Sequence, residues 1–99
     1  MQYKIYQLKH TRDVAYGFMS FDFAKEHGFN FDDYEEVYSG ERDEYHILSN
    51  LWETFNLYHP NDFHGHSMSV SDIVALKKPD GWIYYYCDSF GWENITELI

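Results

Sequence analysis

The residue types able to do chemistry in this chain crowd into one stretch, HPNDFHGHSMSVSDIVAL, from His59 to Leu76. His59, His64 and His66, with Asp62 and Asp72, are imidazoles and carboxylates of the kind that hold zinc, iron or manganese. If the segment is extended, His64-x-His66 sets two rings on one side, a feasible chelate. The spacing departs from HExxH and from other metal patterns. The expectation is therefore no metal and no cofactor, with the polar side chains fixing turns through local hydrogen bonds. A His/Asp metal-binding or hydrolytic module centred on His59, His64, His66 and Asp72 is the competing reading.

Ser67, Ser69 and Ser71, with His66 and Asp72, contain the residue types of a hydrolytic triad. They are sequence neighbours, whereas a triad converges from separate elements onto a strained elbow with an oxyanion hole, and GxSxG is absent. Cys87 lies alone inside an apolar run and reads as a small buried hydrophobe. No residue is assigned a catalytic role. Phosphate-binding loops and basic clusters with interleaved aromatics are missing as well.

A second constellation is acidic. Asp32, Asp33, Glu35, Glu36, Glu41, Asp43 and Glu44 fall close together in the chain, among Tyr34, Tyr38 and Tyr45. The whole chain carries 17 Asp and Glu against 7 Lys and Arg, a formal net charge of -10. A field of that sign repels phosphate backbones, so direct nucleic-acid binding is disfavoured. It attracts a basic protein, including one whose groove normally holds nucleic acid. Carboxylates on a rigid edge could there stand in for phosphates, with the tyrosines as contact residues. The plainer alternative is a solvated acidic face that serves solubility.

These groups need elements to position them. QYKIYQLK alternates Tyr3, Ile5 and Gln7 with Lys4, Tyr6 and Leu8, which predicts a strand over 2–9. Ser20 is the expected cap of a short helix through about His27, ended by Gly28, with Phe21 and Ala24 inward. Tyr34–Tyr38 reads as an edge strand closed by Ser39-Gly40, with Tyr34, Glu36 and Tyr38 on one face. Asp43 is the expected cap of the main helix, Glu44 to about Leu57, whose inward stripe is Leu48, Leu51, Trp52, Phe55 and Tyr58. Pro60 forbids its continuation. Ser71–Lys77 and Trp82–Asp88 bracket a Pro79-Asp80-Gly81 turn as a hairpin, and the tail from Trp92 is expected to form a short strand with an irregular end.

Ninety-nine residues suffice for one modest core, so residues 1–99 are read as a single α+β domain. Its expected form is a small, mostly antiparallel sheet packed against one main amphipathic helix plus a short one. Aromatics make up 21% of the chain, more than so small an interior hides, so some rings must be exposed. A lone cysteine excludes an internal disulfide and fits a reducing cytosol. No leader and no run of membrane-span length is evident, which predicts a cytoplasmic protein.

The segments YKIYQLK, DYEEVYSG, LWETFNLYHPNDFHGHSMSVSDIVAL and GWIYYYCDSFGWENI resemble, in that order, the YodL-like domain of Firmicutes and their conjugative and other mobile elements. The most specific part is Phe63-x-Gly65-His66-Ser67-Met68-Ser69-Val70-Ser71-Asp72, followed by Asp88-Ser89-Phe90-Gly91. The resemblance implies an α+β module often appended to mobile-element proteins beside antirestriction domains, and it supplies no catalytic residues. This chain departs from the pattern in its acidity and in His64. The function expected is a non-enzymatic inhibitor of a host restriction or CRISPR nuclease that presents a phosphate-mimicking surface. The alternatives are the His/Asp module above and a structural assembly module of a conjugative system.

Overall fold

Period-two alternation in the first strand sets the plan of the molecule. In the computed structural model, which describes Met1–Ile99, β1 (Gln2–Leu8) buries Tyr3, Ile5 and Gln7 on one face of a sheet and Leu8 on the other. The remaining strands are β2 (Tyr34–Glu41), β3 (Ile73–Lys78), β4 (Gly81–Cys87) and β5 (Trp92–Asn94). All neighbours pair antiparallel in the order β2-β1-β3-β4-β5. Two helices, α1 (Phe21–Glu26) and α2 (Ile47–Leu57), complete an α+β fold of the expected kind.

Each helix covers a different face of the sheet. Tyr3, Ile5, Val74 and Leu76 pack with Ile47, Leu51 and Phe55 of α2 and with Met68. Leu8, Ile73, Tyr86 and Tyr34 pack instead with Phe21 and Ala24 of α1, Tyr16 and Ile95. Because β1 and β3 are covered on both sides, β3 reads as a continuous buried apolar run, Ile73–Leu76.

Ser20 does cap α1, its side chain accepting the Phe23 N–H. The main helix starts later than expected. Asp43 Oδ1 accepts the Tyr45 N–H in a preceding turn, and Asn50 Nδ2 donates back to the Tyr45 carbonyl, which holds that turn outside the helix. His46, at φ 47°, takes the cap position without a side-chain bond. The buried line is therefore Ile47, Leu51 and Phe55, successive i+4 positions, while Trp52 and Tyr58 of the expected stripe are exposed.

Strand β2 runs through Ser39-Gly40 instead of ending there. A Cβ on Gly40 would lie 2.9 Å from the Tyr3 hydroxyl, so this glycine makes room for a ring rather than for a turn. A bulge at Val37, where Ile5 pairs with Tyr38 and Tyr6 with Glu36, moves Tyr38 to the α2 face, opposite Tyr34. The expected common face of Tyr34, Glu36 and Tyr38 is lost for that reason. The hairpin over Pro79-Asp80, the edge position of β2 and the short strand at the tail are as expected, the tail ending in a 3-10 turn, Thr96–Leu98. No helix is long and apolar enough to cross a membrane.

Candidate functional site

The polar loop closes onto β1 through a residue that its motif does not contain. Gln7 is buried at the end of the Tyr3-Ile5-Gln7 face. Its Oε1 accepts the His66 N–H at 3.1 Å, and its Nε2 donates to the His66 carbonyl at 2.8 Å, so a side chain does what a neighbouring strand would do. The same Nε2 lies 3.1 Å from Asp72 Oδ2. Gly65 permits this approach, because a Cβ there would come within 2.5 Å of Gln7 Oε1 and 2.8 Å of the Phe63 ring.

Asp72 ties the other end of the loop. Its Oδ2 accepts the Ser69 N–H at 2.9 Å while its own N–H donates to the Ser69 carbonyl at 3.1 Å, closing the turn before β3. Oδ1 faces His66 Nε2 at 3.9 Å. The carboxyl is 1% exposed, and burial pushes it up to about 7 against the opposing pull of the Ser69 N–H, His66 and Gln7. Ser71 stands at φ 84°, a conformation unusual outside glycine. Three bonds hold it there: its N–H to Cys87 O, its Oγ from the Phe18 N–H, and its carbonyl from the Tyr34 hydroxyl at 2.6 Å, while the Cys87 N–H donates to the carbonyl of the next residue, Asp72.

The rest of the motif serves packing. Met68 is buried against α2, and Phe63 packs edge-on against Phe55, Tyr38 and His59. His59 donates from Nε2 to the Phe55 carbonyl, continuing the end of α2, with Ser67 Oγ 3.4 Å away. Asp62 accepts the Tyr38 hydroxyl at 3.1 Å. His66 donates from Nδ1 to the Ser67 carbonyl, and Ser69 Oγ is enclosed without a partner. His64 is exposed on the rim of a shallow groove of about 480 Å³ shared with Gln7, Glu35 and Val37.

Of the metal-type residues only His66 and Asp72 come together, and no group of three His, Cys, Asp or Glu side chains converges on a common point. Elemental analysis of the purified protein should accordingly find zinc and iron far below one per chain, unchanged by His64→Ala or His66→Ala. Stoichiometric metal lost on those substitutions would restore the metal reading. Cys87 is buried, which pushes its thiol up to about 12, with Asp72 and Asp88 adding to the effect.

The acidic constellation is partly dispersed. Asp32, Glu35, Glu36, Glu41, Asp43 and Glu44 are exposed, and Glu36 pairs with Lys4 at 3.4 Å. Asp33 is half-buried and accepts the Tyr16 hydroxyl at 2.7 Å. Tyr34 is 5% exposed, so it cannot serve as a partner-contact ring. Its hydroxyl belongs to the Ser71 knot. Tyr38 is half-buried between Tyr3, Phe55 and Phe63 and offers little more than its edge. Tyr45 alone of the three is open, at 72% exposure.

Two features escaped the sequence reading. Gln7 carried a signal, a polar residue in the inward phase of an alternating strand. Phe90, 98% exposed on the turn between β4 and β5, carried none, since only the fold shows which surplus ring is left outside. A family model described as the YodL-like domain matches residues 2–98. No curated protein and no solved structure matches the chain.

Proposed function

The chain belongs to the YodL-like domain family, and from that premise we propose that it acts without catalysis, as an acidic module that binds a basic protein. The partner is a nucleic-acid-processing defence enzyme of a bacterial host, whose substrate groove the module occupies on behalf of a mobile element. The observation that carries this reading is the run of exposed carboxylates, Asp32, Glu35, Glu36, Glu41, Asp43 and Glu44, along and just beyond one edge strand. An eight-residue strand extends about 26 Å at roughly 3.3 Å per residue, enough to follow a groove. The net charge of -10 adds a long-range attraction to a basic surface and a repulsion from nucleic acid itself. In this reading the His59–Asp72 loop is scaffold that seats β1 and α2 beneath the edge.

The test is capture of a nuclease from a lysate of a host with active defence systems, followed by competition. Duplex DNA should displace the captured enzyme, and binding should weaken with salt as the Debye length falls below about 8 Å. Lysine substitutions at Glu35, Glu41 and Glu44, all exposed, should abolish capture and leave thermal unfolding unchanged. An enzyme that stays bound through high salt, excess DNA and all three reversals would end the phosphate-mimic reading.

A further inference from the structure

Strand β2 is the long free edge of the sheet. Outside its ladder with β1, no backbone hydrogen bond reaches Glu35–Glu41. The register decides which groups are left over. The Arg42 N–H bonds to the Met1 carbonyl at 2.9 Å, and from there the partners step through Gln2↔Glu41, Tyr3↔Gly40 and Lys4↔Ser39. Bonded and non-bonded pairs alternate along an antiparallel ladder, so the N–H and C=O groups of Glu41 and Ser39 point away from β1. At the other end the Lys9 N–H bonds to the Asp33 carbonyl, and the same alternation through Leu8↔Tyr34 turns Glu36 outward. All three residues are exposed. The bulge at Val37 divides the edge, and the straight part, Tyr38–Glu41, holds two of the three outward positions. The opposite edge, β5, is only three residues long.

We propose that β2 accepts an additional strand from the partner, an extended segment rich in lysine or arginine. Its backbone pairs with the outward groups of Glu36, Ser39 and Glu41 while its cations meet Asp32, Glu35, Glu36 and Glu41. The proposal rests on the reading that the partner is a basic protein, and it specifies how that protein is held.

Charge selects among the possible occupants. A second copy paired through β2 would bring Glu35, Glu36 and Glu41 against like charges, which destabilise cross-strand pairs. A nucleic-acid strand carries the wrong sign. Charged residues on an edge also guard against aggregation, but that guard acts on apolar and acidic strands. A basic strand alone satisfies both the free backbone groups and the carboxylates, as in other cases of strand addition.

The probe is a synthetic eight-residue peptide alternating lysine and valine, matched in length to β2, and the readout is amide hydrogen exchange in the isotopically labelled protein. At saturation the Ser39 and Glu41 amides should exchange slower by about tenfold or more. A glutamate-valine peptide should leave them unchanged, as should the lysine peptide N-methylated at alternate amides. Ser39→Pro removes an outward N–H, which an edge strand tolerates, so it should weaken peptide binding while exchange at Tyr3 and Ile5 stays as in the parent. Strand addition is overturned if the N-methylated peptide binds equally well, if the lysine peptide binds without slowing those amides, or if it does not bind. The DNA-competition experiment then decides separately whether the basic-partner reading survives.

Discussion

Asp72→Ala should lower stability by about 1–3 kcal/mol, the usual cost of leaving buried donors unpaired. The Ser69 N–H and one Gln7 N–H both lose their acceptor, and nothing in the enclosed turn replaces it. The loss should propagate, because Gln7 also carries both backbone groups of His66. Asp72→Asn separates shape from charge, since it keeps an oxygen for the two donors. The pH dependence has a definite sign. The carboxyl is at about 7 in the folded protein against 3.8 in an ordinary setting, so the folded state holds the proton more tightly. Its contribution is fully present below about 3.8 and is lost as pH rises through about 7. Between those values the parent should therefore lose stability relative to Asp72→Asn. Urea unfolding at several pH values measures both effects, and an alanine variant as stable as the parent would remove Asp72 from the knot.

Local signals carried far in this chain where one residue decides its own neighbourhood. The alternation of β1, the Ser20 cap and the turn at Pro79-Asp80 are short-range features, and each element formed where its pattern lies. The errors arose where a distant residue intervenes. Ser39-Gly40 has the composition of a turn, yet Gly40 is required by Tyr3 across the ladder. Asp43 has the chemistry of a helix cap, yet Asn50 holds the Tyr45 carbonyl and delays the helix. Tyr34 looks like one more tyrosine of an acidic surface until the bulge at Val37 separates it from Tyr38 and Ser71 claims its hydroxyl. The SVSD motif was readable as a turn-forming run. Its anchor was not, because Gln7 lies 65 residues from Asp72.

Phe55→Ala should produce the largest stability loss, about 3–5 kcal/mol for removing a fully buried phenylalanine. Phe55 is 0% exposed, and its ring packs edge-on against Tyr3 of β1, Tyr38 of β2 and Phe63 of the loop. Its carbonyl receives both the Met68 N–H and His59 Nε2. One side chain thus stands under β1, the edge strand and the motif loop together, while the carbonyl bonds of the same residue survive its truncation. The consequence for binding follows from Tyr38, which the bulge has placed on this face and which loses its main neighbour in the variant. Exchange at Tyr38 and Gly40, whose amides face β1, should therefore rise more than exchange in β4, whose Tyr86 packs against Phe21 on the other face of the sheet. Affinity for a basic partner should fall even where most molecules remain folded, since an edge that frays cannot present its carboxylates in a fixed row. Phe55→Leu fills part of the space and should recover part of both losses. If Phe55→Ala frays β4 and β2 alike, the α2 face is not a separate support for the edge, and the link from core to binding surface fails.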